Sequence, residues 1–141
     1  MAQLYASMQG GPTVIRNMGA VTRSMGDRVA DGLRAAGLAL QRASQELAPV
    51  EYGNLKASAY TRSTGRGFDT VVEVGYTASY ALYVHEKVGM VLQGQARQPS
   101  PPHMGRYWDP QGRAQAKFLE TPSRTMHPQM IAIIRRIANI T

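Results

Sequence analysis

The residues of this sequence that most resemble a reactive site are the adjacent pair His85 and Glu86. General acid–base catalysis needs such groups to converge on one pocket, but neighbouring residues of a helix point about 100° apart. A helical zinc pair would need a second histidine at position 89, where Gly89 stands instead. The remaining histidines, His103 and His127, lie at spacings that fit no metal motif. We therefore predict no catalytic residue and no metal site, and expect His85 or Glu86 to make a structural hydrogen bond to a loop.

The glycine-rich stretches do not have the spacing of a cofactor site. Neither "GYTASY" nor "TGRGFD" follows the spacing of a phosphate-binding loop or of a dinucleotide-binding turn. A serine nucleophile in a G-x-S-x-G elbow is missing as well. We predict no bound cofactor and a chain that is not an enzyme.

Three tyrosines, Tyr76, Tyr80 and Tyr83, lie at helical spacing just after a strand-like run. Stacked rings of this kind can bind the bases of single-stranded nucleic acid, but that function needs Lys or Arg between them. The neighbouring residues are instead Ala78, Ala81, Leu82 and Val84. The stripe therefore predicts packing, either in the core or at a subunit interface, with the hydroxyls finding partners at the edge.

Size and composition predict a single globular domain over residues 1–141. Hydrophobic residues make up 43% of the chain and charged residues 18%, and there is no cysteine, so disulfides and thiolate metal sites are excluded. The N-terminal sequence lacks the features of a signal peptide, and no apolar run is long enough to span a bilayer, so we expect no membrane partner.

The chain is basic, with 16 Lys and Arg against 9 Asp and Glu and a net charge of +7. This charge favours contact with polyanions such as DNA. The positive residues are nevertheless spread from Arg16 to Arg136 without a cluster. An Arg-rich surface that contacts other proteins explains the same composition, and both interpretations stay open.

The elements that would position these residues begin with a long amphipathic helix over residues 13–48, after a flexible start at 1–12. Its apolar residues recur at steps of three and four from Val14 to Leu47. A basic face of Arg16, Arg23 and Arg34 lies opposite them. One flank of this helix carries the glycines Gly19, Gly26 and Gly37. We expect there either a kink in the helix or a groove that accepts a helix of a neighbouring subunit.

The rest of the chain predicts an α+β fold in which this helix packs on a small antiparallel sheet. Residues 55–76 read as a β-hairpin that turns at "TGRG", residues 79–87 as a short helix, and residues 88–116 as an extended loop. A C-terminal helix is expected over residues 121–139. Thr121 would cap it, and Pro128 would kink or restart it.

Three of these stretches in this order resemble a family of small virion proteins of tailed double-stranded-DNA bacteriophages. The family, described as minor tail component, tail-completion or head–tail connector proteins, has a Pro-x-Asp-x-Gly-x-Leu turn that corresponds to Pro49, Gly53 and Leu55, with Glu51 in place of the Asp. Its Tyr-Ala-x-Tyr-Val-His-Glu segment corresponds to residues 80–86. Its Phe-Leu pair before the last helix corresponds to Phe118 and Leu119.

The resemblance implies a structural virion protein that forms a ring of six or twelve copies in the phage neck, joins head to tail and surrounds the DNA channel. Neighbouring rings would be the portal-side adaptor, the stopper or the tail terminator, and assembly would take place in the bacterial cytoplasm. Phe118 and Leu119 would then join the tyrosines in packing or subunit contacts. The basic face would line the channel, where DNA passes non-specifically, or meet an acidic partner. A tail-terminator ring, a minor-capsid ring and a non-specific nucleic-acid-binding protein are the alternatives.

Overall fold

A computed structural model of the chain describes residues 11–49, 53–87 and 113–140. Two ranges predicted to be irregular, the start at 1–12 and the loop at 88–116, lie largely outside the described residues. The elements in chain order are α1 (Gly11–Leu47), α2 (Asn54–Ala57), β1 (Ala59–Thr64), a 3-10 turn (Gly67–Asp69), β2 (Val71–Tyr76), α3 (Ala81–Glu86), α4 (Glu120–Thr125) and α5 (His127–Ala138). The predicted α+β class is confirmed.

Helix α1 is the largest element, with 37 residues and a length of about 55 Å. It begins at Gly11 and runs without interruption to Leu47. It ends there because Pro49 follows, whose ring disfavours a helical conformation at the preceding residue. The other described elements pack along its C-terminal two thirds.

Close approach to α1 depends on its glycines. A Cβ added at Gly37 would lie 2.6 Å from Cγ1 of Val72, and one at Gly32 would lie 3.0 Å from the backbone of Ile134. At Gly26 it would meet the backbone of the turn after β1. The helix is not broken at these glycines, and Gly26 and Gly37 hold this chain's own hairpin rather than a helix of a neighbour.

The hairpin pairs β1 with β2 antiparallel, from Ala59 opposite Tyr76 to Thr64 opposite Val71. The prediction that the hairpin starts at Leu55 is wrong, because Asn54–Ala57 forms one helical turn. Gly53 enters that turn at a φ of 77°, in the left-handed region that favours glycine. The turn directs Leu55, which is 5% exposed, into the core.

The connection between the strands is wider than the tight turn predicted at "TGRG". Gly65 and Gly67 both have positive φ values, of 81° and 56°, and a 3-10 turn follows over Gly67–Asp69. The six-residue connection brings Gly67 and Phe68 against α1 at Gly26. The hairpin is thereby anchored to the helix at its tip as well as along its strands.

The C-terminal region is two helices rather than the single helix predicted over 121–139. Helix α4 begins at Glu120, not after a Thr121 cap, and Met126 separates it from α5. Pro128 lies in the first turn of α5, where the missing N–H costs nothing, so the helix restarts there as expected. Helix α5 packs on α1, and Ala138 is buried in this contact region.

The close contact at Gly37 gives a direct test. We expect Gly37→Ala to lower the free energy of unfolding by about 1–2 kcal/mol, because overpacking against Val72 and Thr61 outweighs the better helix propensity of alanine. Gly19→Ala is the matched control, since its Cβ would meet only Arg23 of its own helix at 3.8 Å. We expect that variant to be unchanged or slightly more stable in urea denaturation. Equal losses in both variants would show that the hairpin does not press on α1.

Candidate assembly surfaces

Phe118 is the centre of the core and is only 1% exposed. Its ring meets the rings of Tyr76 and His85 edge to face, with centroids 5.1 and 5.0 Å apart. The small or apolar residues around it come from the end of α1, from α2 and from α3; they are Ala48, Leu55 and Ala81. One aromatic residue therefore joins β2, α3 and the segment before α4.

Tyr76 is the one member of the predicted tyrosine stripe that packs in this core. Its hydroxyl lies 2.7 Å from Oγ of Ser44, which is fully buried in α1. Burial raises the pKa of Tyr76, and the hydrogen bond with Ser44 opposes part of that rise. The pair satisfies two polar groups at once and fixes β2 against α1.

His85 links α3 to the start of α4 through its side chain. Its Nε2 accepts a hydrogen bond from the backbone N–H of Glu120 at 3.4 Å, and its Nδ1 lies 2.9 Å from Oε1 of Glu86. The two ring nitrogens thus contact two different elements, the start of α4 and the end of α3. The expected structural hydrogen bond of His85 is present, and the partner is the start of α4.

The segment before α4 is held at α3 by Lys117. Its backbone N–H donates to the carbonyl of His85 at 2.8 Å, and the residue has a φ of 57°, which is uncommon for a side chain of this size. Its ammonium contacts Glu86 at 2.5 Å and Glu120 at 3.3 Å. Nothing in the sequence signals this role, because a lysine in a loop is typical of ordinary solvent-exposed surface.

The described residues contain no group of three His, Cys, Asp or Glu that could hold a metal ion. The polar groups around His85 are paired with one another through Lys117, Glu120 and Arg124. This arrangement orients the end of α3 against α4. His103 lies outside the described residues, and His127 is exposed at the start of α5.

Tyr80 and Tyr83 do not pack in the core. Their exposed fractions are 44% and 64%, and that of Leu82 between them is 72%. Core packing is therefore wrong for these two tyrosines, because α3 is a short surface helix that turns Ala81, Val84 and His85 toward the core instead. Their role at a subunit interface stays a prediction.

A cavity of about 310 Å³ opens beside these side chains, and we call it the α3 groove. Its lining comes from β2, α3 and the segment before α4 and is largely apolar apart from Glu86. The lining residues are Tyr76, Ala81, Leu82, His85, Glu86, Phe118 and Leu119. Leu82 and Tyr83 lie at a second, adjoining depression. The tyrosine stripe thus divides into one core residue and two residues beside an open apolar groove.

A second exposed apolar surface lies at the other end of the molecule. Residues 11–25 of α1, which we call the overhang, precede the first close contact with the hairpin at Gly26. All of them except Gly11 and Gly19 are exposed. The large apolar side chains among them are Val14, Ile15, Met18, Val21 and Met25. The helical spacing in the sequence placed four of these on one face, but it could not reveal that this face is uncovered.

The predicted basic face is not uniform. Arg16 and Arg23 are exposed on the overhang. Arg34 instead contacts Asp31 at 2.7 Å and donates to Oγ of Ser63 in β1 at 3.1 Å. Arg34 therefore links α1 to the hairpin, and two of the three arginines extend freely from the helix.

The turn residues identified in the sequence lie next to the core. Pro49 is buried after the end of α1, Gly53 introduces α2, and Leu55 contributes to the cluster around Phe118. Lys56 follows, and its carbonyl accepts a hydrogen bond from Gln45 at 2.7 Å. This turn connects the end of α1 to the first strand, while Glu51 lies outside the described residues.

The burial difference between Phe118 and Tyr83 generates a stability prediction. Phe118→Ala is expected to lower the free energy of unfolding by about 3–5 kcal/mol, since it removes the ring on which Tyr76 and His85 pack. Tyr83→Ala removes an exposed ring and should change it by about 0.5 kcal/mol or less. Urea denaturation of the monomer measures the free energy of unfolding of both variants. If Phe118→Ala does not fold, Phe118→Leu replaces it in this comparison. A loss at Tyr83 as large as that at Phe118 would contradict the arrangement of the core.

The ion pair between Glu86 and Lys117 predicts a pH effect. The Lys117 ammonium, followed by the His85 ring, holds the pKa of Glu86 below its ordinary value of 4.5. A carboxylate whose pKa is lowered in the folded state contributes stability above its unfolded pKa and loses it as the pH falls through the folded pKa. We expect Lys117→Met to raise the pKa of Glu86 in a carboxyl NMR titration. Lys87→Met, which removes a charge from the next residue along α3, is the control and should shift it much less.

The part of the chain that the structure describes has no helix long and apolar enough to cross a membrane. A search of curated proteins found no match to the chain, and a search of solved structures found none either. Residues 13–85 match a protein family described as "Bacteriophage HK97-gp10, putative tail-component". The match covers 73 of the 141 residues, just over half, and extends from the start of the overhang through α1, the hairpin and α3 to His85. The chain belongs to this HK97-gp10-like family of bacteriophage tail components, which makes it a structural protein of the virion.

Proposed function

We propose that this chain forms a ring in the neck of a tailed phage, where it joins the DNA-filled head to the tail and surrounds the DNA channel. The ring would contain six or twelve copies. Its neighbours would be the other rings of the neck, such as the portal-side adaptor, the stopper or the tail terminator. Assembly would take place in the cytoplasm of the bacterial host.

The observation that carries this proposal is the pair of uncovered apolar surfaces on a member of a tail-component family. Monomeric soluble proteins rarely expose contiguous apolar patches of more than roughly a few hundred Å², and patches above that size mark interaction sites. Here the overhang exposes Met18 and Val21 at 64% each, and α3 exposes Leu82 at 72%. A protein that assembles with copies of itself and with neighbouring rings would cover such surfaces.

The charge of the chain supports a position near DNA. A net charge of +7 attracts a polyanion without sequence specificity, and Arg16 and Arg23 extend from the exposed overhang. Dispersed arginine contacts suit a channel through which DNA must slide. Many tight contacts to the phosphates would instead hold the DNA in place. The same charge favours the alternative of a non-specific nucleic-acid-binding protein, which would bind DNA as an isolated subunit.

Deleting the gene from the phage that encodes this chain tests the proposal. We expect DNA-filled heads and separate tails in electron micrographs, with infectivity restored by supplying the wild-type chain. Mass spectrometry of purified virions should detect the chain, and labelling should place it between head and tail. Infectious virions that lack the chain would overturn the proposal.

Two further measurements separate the alternatives. A label at the head shell would favour a minor-capsid ring, and one at the head-proximal end of the tail tube would favour a tail terminator. Tight, salt-dependent DNA binding by a chain that is absent from virions would instead support the nucleic-acid-binding protein.

A further inference from the structure

The overhang has the surface pattern of a helix that packs on another polypeptide. Its apolar residues Val14, Met18, Val21 and Met25 follow steps of four, three and four, the spacing of a helix–helix seam. Charge is missing from the positions that flank this seam, which hold Ile15, Asn17, Thr22 and Ser24. Arg16 and Arg23 lie on the opposite side of the helix. A second copy of this basic chain can therefore approach the seam without like-charge repulsion.

The same face of α1 is already used for packing farther along the helix. At about 100° per residue, Gly32 falls on the face of the seam, and Gly32 is where the backbone of Ile134 in α5 approaches α1. The seam thus continues a surface that is covered within the chain from Gly32 onward. The overhang part of it is exposed, as is Arg28 between the two parts.

The overhang also has little to keep it helical by itself. Glycines and β-branched residues are weak helix formers, and this segment contains Gly11, Gly19, Thr13, Val14, Ile15, Val21 and Thr22. A helix of about 15 residues is marginal in water even with favourable residues. Packing on a partner would supply the missing stability.

The α3 groove has the complementary shape. It is a concave apolar cavity of about 310 Å³, with Leu82 and Tyr83 exposed at its mouth. Glu86 lines the cavity and pairs with Lys117, and Lys87 lines the adjoining depression. A groove of this kind accepts the apolar ridge of an amphipathic helix.

A chain cannot place its own overhang in its own groove. The groove lies beside Phe118, which packs on Ala48 at the C-terminal end of α1, whereas the overhang lies at the N-terminal end. At 1.5 Å per residue, Met18 and Leu47, the residue before Ala48, are roughly 44 Å apart along one uninterrupted helix. The two surfaces can therefore meet only between two copies.

We infer that the overhang of each copy docks in the α3 groove of the next copy. This inference rests on the proposed ring and specifies its subunit contact. A contact between two different surfaces is head-to-tail, and head-to-tail contacts close into rings when the rotation between copies permits. The contact between one overhang and one groove is small compared with a standard interface of about 20–30 residues a side. Closure of the ring therefore supplies much of the stability of the assembly.

Mixing two blocked variants tests the direction of this contact. Met18→Asp with Val21→Asp blocks the overhang, and Leu82→Asp blocks the groove; all three side chains are more than half exposed, so the fold should be retained and can be checked by circular dichroism. We expect each variant alone to sediment as a monomer and the mixture to form a one-to-one heterodimer. Dimers of the Leu82→Asp variant by itself would mean that overhangs pair with each other, which would overturn the inference.

Disulfide trapping captures the junction even if it is weak. The chain contains no cysteine, so Ile15→Cys can be added to the groove-blocked variant and Tyr83→Cys to the overhang-blocked variant. We expect a disulfide-linked heterodimer at least tenfold in excess over either homodimer. Arg136→Cys, exposed on α5, replaces Tyr83→Cys as the control and should give background levels. A monomeric mixture with background trapping would overturn the inference, whatever else fills the groove.

The failure of this inference and that of the proposed function can be told apart. Blocked variants that restore infectivity as well as the wild-type chain would refute the docking contact and leave the neck function intact. A wild-type chain that is absent from virions would refute the neck function, whatever the mixing experiment gives.

Discussion

The fold depends on the small residues along the buried side of α1. Every buried residue of this helix is Gly, Ala or Ser, and they are Gly26, Ala30, Gly32, Ala36, Gly37 and Ser44. Small residues let a neighbouring backbone approach closely, so the hairpin and α5 can both lie against one helix. The consequence is a thin core in which Phe118 is the one large side chain that is almost completely buried among the described residues. Such a subunit has limited apolar burial of its own, and the proposed assembly would add to its stability.

Much of the architecture follows from local sequence patterns. The period of α1, the β-branched residues of β2 and the proline at the start of α5 each have a direct physical effect on the backbone, and the corresponding elements appear close to the predicted positions. The errors arose where tertiary contacts decide between conformations. Leu55 enters the core through a helical turn instead of a strand, and Gly37 makes room for Val72 instead of for a helix of a neighbour.

The candidate surfaces were less predictable than the fold. Tyr76, Tyr80 and Tyr83 have the same residue type and helical spacing, yet one is in the core and two are exposed. Spacing identifies the face of a helix, whereas burial depends on what the rest of the chain brings to that face. For the same reason the apolar residues of α1 look alike along the sequence, although α5 packs on the helix near Gly32 and the overhang is exposed. Lys117 has no sequence signature, since its effect depends on a left-handed backbone and on the carbonyl of His85.

The unbroken length of α1 has a geometric consequence for the proposed ring. The overhang and the α3 groove would lie near opposite ends of the same helix. Their relative direction is therefore set by the curvature of α1 and by the angle between the two surfaces around its axis. A ring of six copies needs a turn of about 60° between neighbours, and a ring of twelve needs about 30°. Copy number would then be encoded in the shape of α1, and helices of this length bend gently. A small change in its bend would alter the diameter of the channel that the ring encloses.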